Sequence, residues 1–233
     1  MKKLRFFLNK DFDKFMTLQF LDEKGGGVDF GKGIIRLHPT LSLAKKSDLK
    51  TRKKIINGYF DEYYRKNRKN LINSQISFKV AWRIKEKEFF KTTEGFFGGF
   101  KFQPGMYICY LSIVDCNPRF LESKTFQVFY KKNKEEAIYT IAHELLHFIF
   151  FDYVNRELKK EISNLSEEKL WDLSEIFNVV ILKLNTYKNI VNKKYIHPYP
   201  NHKKFIPLFE KTYNESKGVK EFILKGIKII KRK

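Results

Sequence analysis

Thr140-Ile141-Ala142-His143-Glu144-Leu145-Leu146-His147-Phe148-Ile149 is the stretch on which the reading of this chain turns. Two histidines four residues apart stand one above the other on a single helical face, close enough for both imidazoles to grip one divalent metal ion. Glu144 directly follows the first of them, where its carboxylate can reach a water on that metal and act as general base. An HExxH pattern arises by chance in roughly one chain per hundred of this size, so its flanks have to carry the argument. From Ile138 to Phe151 the only side chains able to carry charge near neutral pH are His143, Glu144 and His147. Burying those three among Ile, Leu, Phe and Ala costs free energy unless each finds a partner, and a metal with its water supplies one for each. The bland competing reading is a core helix with two histidines satisfied by unrelated neighbours.

The rest of the chain sets the frame. It has 233 residues, 42% of them apolar and 16% aromatic, which is enough for a packed core and argues against disorder. The expectation is one α+β domain over 1–233, sheet-rich over 1–131 and helical, with the metal site, over 132–233. The apolar run near the N-terminus, Leu4 and Phe6-Phe7-Leu8, is too short for a secretory core, and no segment approaches the roughly 18 apolar residues of a membrane span. Cytoplasmic placement is therefore expected. Cys109 and Cys116 lie an odd number of positions apart across an apparent strand, so they should point to opposite faces and stay unbridged as packing residues.

A net charge of +21 raises nucleic acid as a partner. The lysines are scattered over every segment rather than gathered on one stripe, and the accompanying wealth of Asn, Ile, Phe and Tyr is a profile that AT-rich coding produces unaided. Nucleic acid is not the favoured partner. Gly26, Gly31 and Lys32 match the start of a phosphate-binding loop, but Gly33 stands where Ser or Thr must hold magnesium, and Ile34-Ile35-Arg36-Leu37 reads as a strand instead of the required helix.

Residues 1–46 read as short strands and turns punctuated by glycine. Ile55, Ile56, Tyr59, Phe60 and Tyr63 recur at helical spacing and predict a helix over 48–70. Ile76 to Ile84 and Phe89 to Phe102 suggest strands, Met106 to Val114 is the clearest strand, and Thr125 to Tyr130 returns as another. Asn133 with Glu136 three residues later forms an N-terminal cap and box for the motif helix. Polar residues 156–164 should connect it to a second long helix over 166–187. The C-terminal part carries prolines at 198, 200 and 207, followed by a basic amphipathic helix over 219–231 whose Val219, Phe222, Ile223 and Ile230 should dock on its own domain.

A catalytic zinc ion needs three protein ligands and an open position. A third histidine in the spacing HExxHxxGxxH would require Gly at 150 and His at 153, where Phe150 and Tyr153 stand. A carboxylate from the second long helix is the other source. Glu175 is preferred: Trp171, Val179 and Leu182 share its face, so an ionised carboxylate there needs a strong partner. Asp172 and Asn178 flank it on that face, placed to support a ligand imidazole. Glu168, with twenty residues between it and His147, is the rival, although Glu167-Glu168-Lys169 looks like the solvated start of a helix.

With His143-Glu144-Leu145-Leu146-His147 and Leu173-Ser174-Glu175-Ile176-Phe177-Asn178, residues 133–187 resemble the gluzincin clan of zinc metallopeptidases, and within it the small single-domain minigluzincins. The chain departs from thermolysin-like members at the position of their third ligand, since Trp171 stands four after Glu167 where those enzymes have Asp. The resemblance implies a zincin-like fold, with a mixed or antiparallel sheet ahead of the active helix and a strand edge that holds a peptide or protein substrate extended. It also implies zinc held by His143, His147 and Glu175, with Glu144 as general base. Tyr199 and His202, donors on a proline-stiffened loop, are the expected oxyanion stabilisers, with the Met106–Val114 strand or its neighbour binding substrate by strand addition. The expected function is peptide hydrolysis; the alternative is a catalytically silent zinc-binding module that works through its basic surface.

Overall fold

Asn9 ends the first strand and opens the first helix: its Oδ1 accepts the backbone N–H of Phe12 at 3.0 Å, satisfying one donor that a helix start leaves free. The computed structural model describes residues 4–232; residues 1–3, the start of the segment read as strands and turns, and residue 233 lie outside it. The described residues form two compact units, one of 4–82 and 106–137 and the other of 83–105 and 138–232. The architecture is α+β, largely helical with a small mixed sheet.

The first unit contains β1 (Leu4–Leu8), α1 (Lys10–Phe20), the two-residue strands β2 (Lys24–Gly25) and β3 (Val28–Asp29), α2 (Phe30–Leu37), α3 (Leu41–Lys45), much of α4 (Leu49–Phe96), β4 (Tyr107–Ser112), β5 (Arg119–Phe120) and β6 (Thr125–Phe129). Its main sheet runs β1-β4-β6-β5, with β1 and β6 both parallel to β4 and β5 antiparallel to β6. The dozen residues 113–124, which include β5, return the chain so that β4 and β6 can run parallel. Because β4 is hydrogen-bonded on both sides, it has no edge to offer a substrate; of the expected pair, only its neighbour β1 lies at the border of the sheet. Cys109 and Cys116 are both buried and form no disulfide.

Two expectations fail in this unit. Residues 10–45 contain three helices where strands and turns were expected. Caps decide the matter: Asn9 opens α1, and Asp29 opens α2 by accepting the Lys32 N–H at 2.8 Å. Ile34–Leu37 therefore lies in a helix, with Gly31 and Gly33 inside the same helix. Gly31 serves packing, since a Cβ there would stand 1.9 Å from the Leu21 carbonyl oxygen.

The second failed expectation is the strand over Ile76 to Ile84. Helix α4 continues unbroken through it and through most of Phe89 to Phe102, ending at Phe96. Its start is capped by Asp48, which accepts the N–H groups of Lys50 and Thr51. At its end Gly98 and Gly99 adopt positive φ, and the Gly99 N–H closes back on the Glu94 carbonyl at 2.8 Å.

The second unit is built on α5 (Lys134–Glu157) and α7 (Glu167–Leu182), with the one-turn α6 (Lys159–Ile162) between them, then α8 (Ile206–Asn214) and α9 (Val219–Lys231). Asn133 caps α5 as expected, accepting the Glu136 N–H at 3.0 Å. Ser166 caps α7 through the Lys169 N–H. From Ile138 to Phe150 nearly every residue of α5 is buried, and so is every residue of α7 from Asp172 to Leu182. Helices apolar all round belong in an interior. α7 stops five residues short of the expected end, and a short 3-10 turn at Asn185–Tyr187 follows. Pro207 sits in the first turn of α8, where the missing N–H costs nothing. α9 buries Val219, Phe222, Ile223 and Ile230 against its own unit; a Cβ on Gly226 would meet Leu173 and Phe209.

Candidate metal centre

His143 and His147 lie one turn apart on α5 with ring centres 4.8 Å apart, their Nε2 atoms 3.1 Å from each other. Glu175, from the middle of α7, completes the group. Its Oε2 is 2.9 Å from His143 Nε2 and its Oε1 is 3.3 Å from His147 Nε2. One ligand atom from each residue falls within 4.8 Å of the others. Glu168, the rival third ligand, is exposed in the first turn of α7 and takes no part.

The donor set fits a divalent metal. Neutral imidazole nitrogens and a carboxylate are all electron-pair donors, and packing three of them within hydrogen-bond distance requires a cation or shared protons between them. Tetrahedral bonds of about 2.0–2.1 Å place ligand atoms about 3.3 Å apart. The closest approaches, 2.9, 3.1 and 3.3 Å, are of that order, with His143 facing one Glu175 oxygen and His147 the other. The electrostatics agree. Burial pushes the Glu175 carboxyl up, but the His147 and His143 imidazoles beside it pull it down further, leaving it well below the usual carboxylate range. His147 is wholly buried, Glu175 nearly so, and His143 half-buried, so the group opens at His143.

Surrounding residues hold the two helices in place. Asn178, one turn after Glu175, donates to the His143 carbonyl at 3.1 Å, joining α7 to the backbone of α5 instead of to an imidazole. Asp172, one turn before Glu175, takes a 2.5 Å hydrogen bond from His202 Nε2. His202 lies in the 3-10 segment Pro200–Phe205 and is buried. Tyr199 packs its ring 5.2 Å from Trp171 and 5.6 Å from His202. Glu144 is buried on α5 immediately after the first imidazole.

Tyr139 escaped the sequence reading. It stands one turn before His143, with ring centres 5.8 Å apart. Its hydroxyl is hydrogen-bonded by the backbone of His197, which ties the 196–200 loop to α5. Burial first, then the Glu175 and Glu144 carboxylates, push this phenol up. The signal was present in the sequence: four residues before His143 is the same helical face.

Comparison with family models, with curated proteins and with solved structures gives no match.

Proposed function

We propose that this chain is a zinc-dependent metallopeptidase of gluzincin type with a zincin-like fold, acting in the cytoplasm on a peptide or protein substrate bound in extended form. The observation that carries the reading is the convergence of His143, His147 and Glu175 with Glu144 next to the first ligand on the same buried helix. No helix among the described residues is long and apolar enough to cross a membrane; hydrolysis is inferred from the chemistry of the four side chains.

Zinc held by these three residues would supply Lewis acidity, acidifying a water and polarising the scissile carbonyl. Glu144 takes the proton from the attacking water and delivers it to the leaving amine. Glu144 is buried next to His143, away from bulk water. Glu175 adds one negative charge to two neutral imidazoles, so the group keeps a net positive charge when a divalent ion is bound. Asn178 and the Asp172–His202 pair keep α5 and α7 in register around the ligands.

Metal analysis of purified protein, followed by hydrolysis of a mixed peptide library, tests the proposal. One zinc per chain is expected. Glu144→Gln should keep the zinc and lower peptidase turnover by about 10²–10⁴-fold, the range for a lost general base. Glu175→Ala should strip the zinc while Glu168→Ala leaves it in place. No hydrolysis of any peptide, together with salt-sensitive binding of DNA or RNA, would replace this reading with that of a silent zinc-binding module.

A further inference from the structure

Resting on the metallopeptidase reading, we propose that the Tyr139 hydroxyl is the hydrogen-bond donor that holds an oxyanion at the metal centre. Tyr139, His143 and His147 occupy three successive turns of one face of α5, with ring separations of 5.8 and 4.8 Å. Along that row burial increases: Tyr139 and His143 are half-buried and His147 is closed off. A substrate carbonyl reaching the ligands therefore comes in beside the phenol ring.

The hydroxyl is prepared to donate. The backbone of His197 occupies an acceptor site on its oxygen, and an O–H that accepts one hydrogen bond donates the next more strongly. A fixed, neutral donor in a partly dry site is what stabilises charge as it develops on a carbonyl oxygen. His202 is occupied otherwise, and Tyr199 is held by its ring. His202 Nε2 is committed to Asp172 and the Tyr199 ring packs on Trp171, so both anchor the loop whose His197 backbone meets Tyr139. They are positioning residues, and Tyr139 is the one that touches the reacting oxygen.

The test uses full-length protein loaded with zinc and a phosphinic dipeptide as probe, its tetrahedral oxyanion standing in for the hydrated peptide bond. Affinity is read by isothermal titration calorimetry and zinc content by metal analysis. Tyr139→Phe should keep one zinc per chain and bind the phosphinic dipeptide about 10- to 100-fold more weakly. Its kcat on a peptide substrate should fall about 10²-fold with KM within about threefold. Tyr199→Phe should bind the probe like the unaltered protein. Unchanged probe affinity in Tyr139→Phe overturns the proposal, as does loss of zinc from that variant or a larger effect of Tyr199→Phe. The calorimetric arm also separates this inference from the reading beneath it. If the unaltered protein hydrolyses no peptide yet its probe binding depends on Tyr139, the oxyanion role stands and the peptidase reading falls. If zinc-loaded protein does not bind the probe at all, the oxyanion role falls.

Discussion

Asp13 is a carboxylate bonded from several elements, away from the metal centre. It is fully buried, and it accepts from the Ile113 N–H at 2.9 Å, the Tyr64 hydroxyl at 2.7 Å and the Gln127 amide at 2.7 Å. Desolvation outweighs those donors and raises the carboxyl from 3.8 to about 6. The sign follows from linkage. Below pH 4 the group is protonated in both folded and unfolded chains and contributes nothing. Between the two values the unfolded chain loses its proton first, so folding stability falls as pH rises and levels off above about 6. The loss amounts to about 3 kcal/mol. Urea unfolding at pH 4, 5, 6 and 7 should show the difference between the unaltered protein and Asp13→Asn changing by that amount; parallel curves would rule the shift out. Glu175 shows the opposite balance, since two imidazoles beside a buried carboxylate overcome its desolvation. Burial sets the direction at Asp13 and the two imidazoles set it at Glu175; those surroundings come from other elements, which is why neither shift is legible in the local sequence.

Helix α4 shows how an element misleads. Ile76, Phe78, Val80, Trp82 and Ile84 alternate with polar or small residues, the period expected of a strand. In the structure Phe78 and Trp82 are buried one turn apart, with Leu71 and Phe89 on the same side, whereas Ile76, Val80 and Ile84 are 55%, 54% and 73% exposed. Two helical faces, each apolar at a four-residue spacing and offset by two, imitate a single alternating strand. Trp82→Ala should therefore cost about 3–5 kcal/mol in denaturant unfolding, while Ile76→Ala and Ile84→Ala should stay within about 0.5 kcal/mol. Equal losses at all three positions would restore the strand. In α5 and α7 the reading succeeded because caps and burial agreed: Asn133 and Ser166 open the helices where expected, and the ligand-bearing faces are apolar around their polar residues.

For the molecule as a whole, the metal group lies inside one compact unit, with ligands from two of its helices. An ion that binds only the folded chain stabilises it by mass action, about 2.7 kcal/mol when free ion is one-hundredfold above its Kd. Calorimetric unfolding should shift upward on zinc loading and return on chelation. His147→Ala should lose that response, and a zinc-loaded protein whose unfolding ignores the chelator would place the bound zinc elsewhere. The mixed sheet belongs to the other unit, and its parallel β1–β4 and β4–β6 ladders differ from an antiparallel arrangement. Strand direction depends on how distant segments pair, so it could not be read from alternation within any one strand.

His143, Glu144 and His147 were legible in the chain itself, because one turn of helix places residues four apart in contact whatever surrounds them. The choice of Glu175 over Glu168 was foreshadowed by its apolar neighbours, but it took the packing of α7 on α5 to bring that carboxylate to the two imidazoles. Packing also left Glu168 in the exposed first turn of its helix. Tyr139 and the 196–200 loop came together only in the folded chain, since nearly sixty residues separate them and no local periodicity encodes that contact. Local geometry sets the spacing of Tyr139 and the two histidines; long-range burial sets which carboxylate and which loop meet that face.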